Sequence, residues 1–402
     1  MSQLKVNTIR HTGASSDAIT LAADGKCAVT GSTVTADTGK FTNLPNRNLI
    51  INGACQIAQR GTTATENSVG TVDRFRLEYT GINNHSDQAQ VDVTSNDSGP
   101  FEKGFRKAFR VTNGDQNAGA DAGDLSSTQY TIEAYDLASS GWLCTDPNSK
   151  LTFSFWVKSS VAGTFYGYLY INDGGGDSFA FSTGALSADT WKYVTVTIPG
   201  HADLAVNQDN GPGMTIYLQH YMGTDRTTSG HTLGAWQSWD SSNRTPDFSE
   251  STWWTTDNAQ FETTGWQLEV GDTATDFEHR SYGDDLAKCQ RYYRVLIEGD
   301  SGGSEKTFGS STVYSATSLH LAVQLDPEMR TTPTADFATG TNYFKVFANN
   351  ASDSFDAFTL AGNSSNRVAD IYADSGVSST AGSSGLLRTA NGSAKIAFSA
   401  EL

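Results

Sequence analysis

The chain has 402 residues, of which 39 are glycine, 11% are aromatic and only 18% are charged, a balance typical of many short strands joined by turns. Its 27 basic and 44 acidic residues give a formal net charge of −17, which disfavours nucleic acid or anionic lipid as a partner. No run approaches the roughly 20 apolar residues of a membrane helix, so we expect no membrane insertion. The composition predicts an all-β protein, and the length predicts more than one domain.

Residues 1–45 carry short, weakly alternating apolar runs separated by glycine-containing turns. The pattern begins with Leu4, Val6 and Ile9, and it holds too few large apolar side chains to bury a core in a single chain. We therefore predict a stem or docking arm that other chains complete, with these three residues as docking candidates. A solvated arm is the alternative.

Residues 46–281 are predicted to form a β-sandwich of the jelly-roll type. Alternating or continuously apolar segments recur there, and turns such as 172–177 and 210–213 separate them. This spacing is typical of two packed antiparallel sheets. The predicted strands cover 49–53, 107–111, 129–133, 151–157, 163–170, 191–198 and 214–218.

A strand and a short helix link the sandwich to a C-terminal β-rich tip domain, residues 282–402. Trp266 alternates with Leu268 and Val270, so its ring is assigned to the core. A helix is predicted over 284–293, with Asp284 or Asp285 as its N-cap. Its packed stripe comprises Leu286, Cys289, Gln290 and Tyr293. Further strands are predicted at 312–325, 342–348, 357–361, 367–373 and 394–399.

No catalytic or metal-binding set emerges from the sequence. Residues 299–303, GDSGG, match the nucleophile loop of trypsin-like proteases, but no histidine stands in the matching context, so a simple loop is favoured. Asn172, Asp173 and Asp177 could supply oxygen ligands to a calcium ion in a sandwich loop, but they lack the spacing of an EF-hand, so a glycine-rich solvated turn is favoured. We expect neither an enzyme nor a bound cofactor, and free thiols at the scattered cysteines Cys27, Cys55, Cys144 and Cys289.

Five of the eight tryptophans fall within 31 residues, and four of them lie in polar, turn-rich sequence where both faces of an indole are hard to bury. An exposed ring can stack on the apolar face of a sugar, while a nearby carboxylate binds its hydroxyl groups. Half of these rings are expected to pack in the core or in a subunit interface. The predicted glycan-binding residues are Tyr221, Trp236, Trp239, Asp240, Trp253 and Trp254.

Three stretches of the chain resemble tail-fibre proteins of bacteriophages. LKVNTIRHTGASSDAITLAADGKCAV, near the N-terminus, looks like the segments by which phage fibres plug into a virion. NRNLIINGACQIAQRG followed by TVDRFR resembles the opening of a module common in such fibres. QLEVGDTATDFEHR with LAKCQRYY, in 265–294, is the most specific match. LTFSFWVKSS and TWKYVTVTI also resemble strands of carbohydrate-binding jelly rolls.

The resemblance implies a homotrimeric tail fibre in the virion, assembled in the host cytoplasm. Its N-terminal arm would dock on tail or adaptor proteins, and its distal β domains would bind a host surface glycan or another receptor. The receptor site would lie either on the sandwich or wholly in the tip, residues 295–402. Two alternatives stay open: a glycan depolymerase tailspike, and a connector or head-decoration protein that never contacts the receptor.

Overall fold

The computed structural model of the protein describes residues 46–65, 67–81, 86–114, 119–248 and 251–402, together with the backbone of three short strands nearer the N-terminus. The chain divides into two compact units, Met1–Leu44 and Pro45–Leu402. In the first unit an antiparallel sheet is formed, in this order, by β1 (Thr8–Ile9), β2 (Ile19–Leu21) and β3 (Cys27–Val29). Ile9 pairs with Ile19, whereas the other docking candidates, Leu4 and Val6, lie outside the described residues.

The second unit begins with the sandwich, whose strands largely coincide with the predicted apolar segments. Its elements are β4 (Thr63–Ala64), β5 (Phe75–Thr80), β6 (Asp87–Asp92), β7 (Lys107–Thr112), β8 (Leu125–Glu133), α1 (Ala134–Ala138), β9 (Lys150–Ser159), β10 (Gly163–Ile171), β11 (Asp177–Leu186), β12 (Lys192–Pro199), β13 (Pro212–Met222), β14 (Trp236–Ser238) and β15 (Gln260–Val270).

Two six-stranded sheets form the sandwich. The first sheet has the order β14-β11-β10-β13-β8-β5 and the second the order β12-β9-β15-β7-β6-β4. Trp266 lies between them, with its ring centroid 5.2 Å from that of Phe75 and 5.1 Å from that of Phe153. The predicted core position of Trp266 and the predicted all-β jelly-roll fold are confirmed.

The C-terminal part of the second unit adds two further sheets. Its elements are α2 (Tyr282–Gln290), β16 (Tyr293–Glu298), β17 (Thr307–Ser315), β18 (Ser318–Gln324), β19 (Thr334–Ala338), β20 (Phe344–Ala348), β21 (Ala351–Phe355), β22 (Thr359–Leu360), β23 (Val368–Ala373), β24 (Ser384–Thr389) and β25 (Lys395–Ser399). One sheet has the order β16-β25-β19 and the other the order β21-β20-β24-β17-β18-β23-β22. They enclose a separate core that includes Phe344, Ile371 and Phe398.

Three local predictions were wrong. Residues 49–53 form turns, not a strand, although Leu49 N–H still donates to Leu268 O at 2.9 Å. The predicted strand 312–325 is a hairpin, β17 and β18, because two turn residues interrupt it. Helix α2 begins earlier than predicted, since Ser281 is its N-cap and accepts a hydrogen bond from the backbone N–H of Asp284 at 3.2 Å.

A joint connects the sandwich to the C-terminal sheets. It comprises Gln59, Arg60, Arg74, Glu133, Arg291, Tyr292, Tyr293 and Glu401. Glu133, at the end of β8, is buried and accepts hydrogen bonds from Arg291 Nη2 at 2.6 Å and from the Tyr292 hydroxyl at 2.8 Å. A charge-assisted pair with a buried carboxylate orients the residues that follow α2.

Glu401, next to the C-terminus, closes the other side of the joint. Its carboxylate accepts hydrogen bonds from Arg74 Nη1 and, at 3.2 Å, from Arg60 Nη2. The guanidinium of Arg74 lies 3.6 Å from the ring centroid of Tyr292, and that of Arg60 lies 3.5 Å from the ring centroid of Tyr293. The motif segments QRG and DRF meet here with CQRYY, which lies more than 200 residues further along the chain, so their shared role is to hold the two β regions together.

Candidate functional site

Two of the predicted glycan-binding residues are buried, which corrects that part of the prediction. Trp253 and Trp254 expose almost none of their surface. The ring of Trp253 packs on His220 and that of Trp254 on Tyr221, with centroids 5.2 and 4.9 Å apart. Their backbone carbonyls accept hydrogen bonds from Asn113 Nδ2, so the segment is fixed in the interior. Neither indole can present a face to a sugar.

The remaining predicted residues stay candidates, although packing occupies much of their surface. Trp239 lies between Tyr168 and Tyr170, at centroid distances of 5.3 and 5.0 Å, and the Arg244 guanidinium lies 4.8 Å from its ring centroid. The indole N–H of Trp236 donates to the carbonyl of Pro199. These half-buried rings therefore offer edges more than open faces.

Tyr221 and Asp240 are likewise engaged within the fold. The ring of Tyr221 contacts Phe248 as well as Trp254. Asp240 is exposed and accepts hydrogen bonds from the backbone N–H and the hydroxyl of Ser242, which lower the pKa of its carboxyl. Asp240 thus closes its own turn.

A pocket that the sequence analysis did not predict lies on the outer face of the second sheet. Its volume is about 540 Å³, within the usual range for small-ligand sites. We call it the aromatic groove. It is lined by Glu102, Lys103, Gly104, Phe105, Ser154, Trp156, Tyr193, Gly265, Ala274, Thr275, Asp276, Phe277 and His279.

One wall of the aromatic groove is a pair of rings on neighbouring strands. Trp156 of β9 is directly opposite Tyr193 of β12 in the antiparallel register. Their ring centroids are 5.2 Å apart and the planes are inclined by 44°. Tyr193 is 41% exposed, so this wall presents aromatic surface to solvent. Such surface suits the C–H groups on one face of a pyranose.

The floor and the opposite wall come from Phe105, Phe277 and His279. Ring centroids are 4.8 Å apart for Phe105 and Phe277 and 5.2 Å apart for Phe105 and His279. Phe105 lies directly over Gly265, where a Cβ atom would come within 2.7 Å of the phenyl ring. Gly265 has φ +67° and lies in a register shift between β15 and β9. Only glycine accommodates both this backbone and the ring above it.

Polar groups surround the mouth of the aromatic groove. Lys103 Nζ lies 3.7 Å from Asp276 Oδ1, and both side chains are largely exposed. His279 Nε2 is 2.8 Å from the carbonyl of Lys103, which fixes the imidazole. Burial raises the pKa of Tyr193, and a hydrogen bond with the side chain of Ser154 opposes that effect. Hydroxyl-bearing ligands would find both donors and acceptors here.

A half-buried polar cluster fixes the loop that carries Glu102, Lys103 and Phe105. Asp97 Oδ1 accepts hydrogen bonds from the Trp191 indole at 2.9 Å and from Lys158 Nζ at 3.1 Å. Burial acts to raise the pKa of Asp97, but hydrogen bonds from the Thr94 N–H, from Trp191 and from Lys158 bring it down to about 2. The loop is therefore anchored to β9 at neutral pH.

One feature of the sequence, the position of Trp156 in strand β9, predicts an exposed ring at this groove. In strand β9, Phe153, Phe155 and Val157 point into the core and are fully buried. Trp156 falls on the opposite phase, where polar residues are expected on the outer face of a sheet. A tryptophan out of phase in an otherwise regular strand predicts an exposed ring. The loops over the groove gave no comparable signal.

Other chemically suggestive residues have structural partners. Asp173 accepts hydrogen bonds from the backbone N–H and the side chain of Asn207. Asp300 of the GDSGG segment accepts from the backbone N–H of Gly302 at 2.9 Å and so closes a turn. Among the described residues, no three His, Cys, Asp or Glu side chains lie close enough to share a metal ion.

The predicted free thiols are confirmed at Cys55, Cys144 and Cys289. Burial raises the pKa of Cys55 to about 12 and that of Cys289 well above its usual range, so these thiols stay protonated and unreactive. The side chain of Cys27 lies outside the described residues. Neither described helix is long and apolar enough to cross a membrane.

Comparison with known proteins assigns the chain to no family. No family model and no curated protein matches the chain. Similar solved structures include the enzymatically active domain of bacteriophage CBA120 tailspike protein 4, with 11% identity and a TM-score of 0.29, over 57% of this chain and 22% of that one. The chain thus spans only about a fifth of that tailspike structure.

Two further similar structures are carbohydrate-binding domains. The N-terminal cellulose-binding domain of Cellulomonas fimi β-1,4-glucanase C has 11% identity and a TM-score of 0.26, over 55% of this chain and 99% of that one. The tandem CBM22-1-CBM22-2 domain of Paenibacillus barcinonensis Xyn10C has 11% identity and a TM-score of 0.24, over 81% and 93%. Likenesses this distant assign no residue a role.

Proposed function

We propose that this chain is a structural virion protein, a bacteriophage tail fibre that attaches the particle to its host by binding surface glycans. The fibre assignment rests on the motif resemblance in 1–30, 46–80 and 265–334. The joint supports it, because residues of the second and third of these stretches contact one another across two β regions. In this proposal three copies assemble, and the N-terminal arm docks on tail or adaptor proteins.

The aromatic groove is the observation that carries glycan binding. It combines a pair of contacting rings, the partly exposed Trp156 and the exposed Tyr193, with a rim of ionic and hydroxyl groups. A pyranose has the matching chemistry, since one face is apolar and its edge carries hydroxyl groups. The net charge of −17 favours neutral glycans over polyanionic ones, because like charges repel.

Blocking of adsorption tests this function. The purified full-length chain, added in excess to cells of the propagating host, should prevent virions from adsorbing. The double variant Trp156→Ala/Tyr193→Ala should lose most of this blocking. A matched control is Tyr135→Ala, which removes a tyrosine that is 51% exposed on α1 and belongs to no candidate site. Full blocking by the folded double variant would exclude the groove as the receptor site.

In this proposal the chain is an adhesin and not an enzyme. Incubated with purified host polysaccharide, it should release no reducing ends, whereas a depolymerase would release them steadily. A connector or head-decoration role predicts a different position in the particle. Electron microscopy of virions labelled at the C-terminus of this chain should find the label at the outer end of a fibre, and a label enclosed by other proteins would contradict attachment.

A further inference from the structure

The outer face of the seven-stranded sheet carries a strongly exposed aromatic residue. Tyr314 lies in β17, the middle strand of that sheet, and is 76% exposed. Its neighbour Val313 points inward and is fully buried. Tyr314 stands near the hairpin end of β17, just before the turn at 316–317, and a tyrosine so exposed contributes little to packing, so its position calls for another explanation.

The backbone around Tyr314 is anchored and irregular. The pairing of β17 with β18 shifts register between Val313 and Ser315, and such bulges redirect a side chain. Val313 N–H donates to Ser383 O at 2.9 Å, and Gly382 N–H donates to Val313 O at 2.8 Å. The ring therefore projects from a backbone fixed on both sides.

The ring of His320, on the adjacent strand β18, lies beside Tyr314, and His320 in turn contacts two side chains of β23. Its ring centroid is 5.5 Å from that of His320 on β18, with the planes inclined by 67°. His320 in turn stacks on Tyr372 of β23, with centroids 5.4 Å apart and planes inclined by 20°. His320 Nδ1 lies 3.1 Å from Asp370 Oδ1. With Nδ1 engaged by Asp370, Nε2 is the ring nitrogen left to form a hydrogen bond with a ligand hydroxyl group.

We propose that Tyr314, His320 and Asp370 form a second saccharide site, which we call the Tyr314 site, and that it binds one pyranose unit of a neutral glycan. The phenol ring takes the apolar face of the sugar. His320 Nε2 and the remaining lone pairs of Asp370 accept hydrogen bonds from its hydroxyl groups. This inference goes beyond the proposed function, because the Tyr314 site shares no residue with the aromatic groove.

The surroundings of the Tyr314 site favour a glycan over a second copy of the chain. The next outward residue along β17 is Thr312, and it pairs with Ser384 on β24 and with His320 on β18. Thr312 is exposed and Ser384 is exposed. The ring thus stands among hydroxyl groups and a carboxylate, whereas the centre of a subunit interface is depleted of charge and apolar.

Binding of the full-length chain to a printed array of neutral hexose and N-acetylhexosamine oligosaccharides tests the proposal. Tyr314→Ala should weaken binding to the recognised oligosaccharide about tenfold, the effect of losing one stacked ring. Asp370→Asn should weaken it as well while leaving the ring in place. The matched control is Tyr135→Ala, which removes a tyrosine that is 51% exposed on α1 and should leave affinity within twofold, an estimate for a ring outside any site.

The outcomes separate this proposal from the proposed function. Tyr314→Ala is also introduced into the Trp156→Ala/Tyr193→Ala variant. Weaker binding of this triple variant than of the double variant supports the Tyr314 site, whether or not the double variant itself binds more weakly than the unaltered chain. Unchanged affinity of Tyr314→Ala overturns the Tyr314 site while leaving the groove in place. Absence of any binding by the unaltered chain overturns both. A change of oligomeric state in sedimentation of Tyr314→Ala, with affinity retained, assigns this face to contacts between copies and also overturns the proposal.

Discussion

Glu401→Gln should destabilise the protein by leaving the buried charge of Arg74 in the joint without its partner. The Glu401 carboxylate accepts hydrogen bonds from Arg74 and Arg60. The side chain of Arg74 is only 3% exposed, so its charge cannot return to water when the partner is neutralised. Removing one partner of a buried pair costs about 3–5 kcal/mol. Because Arg74 also donates to the carbonyl of Thr131, we expect a loss near the lower end, about 3 kcal/mol.

Urea unfolding followed by two probes measures this loss. All eight tryptophans lie between residues 142 and 266, so tryptophan fluorescence reports the sandwich, whereas far-ultraviolet circular dichroism reports every sheet. Glu401→Gln should lower the midpoint in the dichroism transition at least as much as in the fluorescence transition. The exposed Glu298→Gln serves as the matched control. In the double variant Arg74→Met/Glu401→Gln no charge is left unpaired, and stability should recover to within about 1 kcal/mol of the unaltered chain.

The reasoning would be refuted by a Glu401→Gln variant within about 0.5 kcal/mol of the unaltered chain, the range expected for a surface substitution. A double variant less stable than Glu401→Gln would also contradict it. In that case the Arg74 guanidinium would stabilise the joint through its contact with the Tyr292 ring, and not through the ion pair.

Further predictions concern pH and the groove backbone. Burial lowers the pKa of His220 to about 3, below its unfolded value of about 6.5, so the stability that His220 contributes is full above about pH 6.5 and falls by about 2 kcal/mol between pH 7 and pH 5 as protons bind the unfolded state. Burial also raises the folded pKa of Asp73 to about 6, which acts in the opposite direction, so the test compares variants. The unfolding free energy at pH 7 minus that at pH 5 should be about 2 kcal/mol smaller in His220→Gln than in the unaltered chain, and it should be unchanged in the exposed control His279→Gln. Asp97, with its folded pKa of about 2, contributes stability that is present above pH 4 and lost between about pH 4 and 2, so acid unfolding of Asp97→Asn should show a shallower pH dependence in that window. Gly265→Ala places a Cβ atom 2.7 Å from the Phe105 ring, on a residue with positive φ. It should lower the free energy of unfolding by about 1–3 kcal/mol in thermal unfolding and weaken ligand binding in the groove. An unchanged free energy of unfolding together with unchanged affinity would contradict the role given to this glycine.

Regular strands could be predicted from the sequence because their signal is local. In β9 the alternation of Phe153, Phe155 and Val157 places every second side chain in the core, and the strand forms where this pattern occurs. The boundaries of α2 were less certain, because serine and aspartate both cap helices well and only the backbone conformation shows that Ser281 does so.

Long-range contacts determine the features of the structure that could not be predicted from the sequence. Trp253 and Trp254 lie in polar sequence, yet Asn113, some 140 residues away, binds their carbonyls and holds the segment inside. Arg74 and Glu401 are separated by 327 residues, so their pairing has no local signature. The aromatic groove likewise needs Phe105, Trp156 and Phe277 from three separate parts of the chain. Its existence depends on how loops fold over the sheet.

The most direct test of the central claim is the affinity of the aromatic groove for a defined glycan. Isothermal titration would compare the unaltered chain, Trp156→Ala/Tyr193→Ala and Tyr135→Ala with one oligosaccharide selected on the array. We predict that the double variant binds at least about tenfold more weakly, while Tyr135→Ala, at an exposed ring outside any candidate site, binds within about twofold of the unaltered chain. Equal affinity of the double variant and the unaltered chain would contradict glycan binding in the groove.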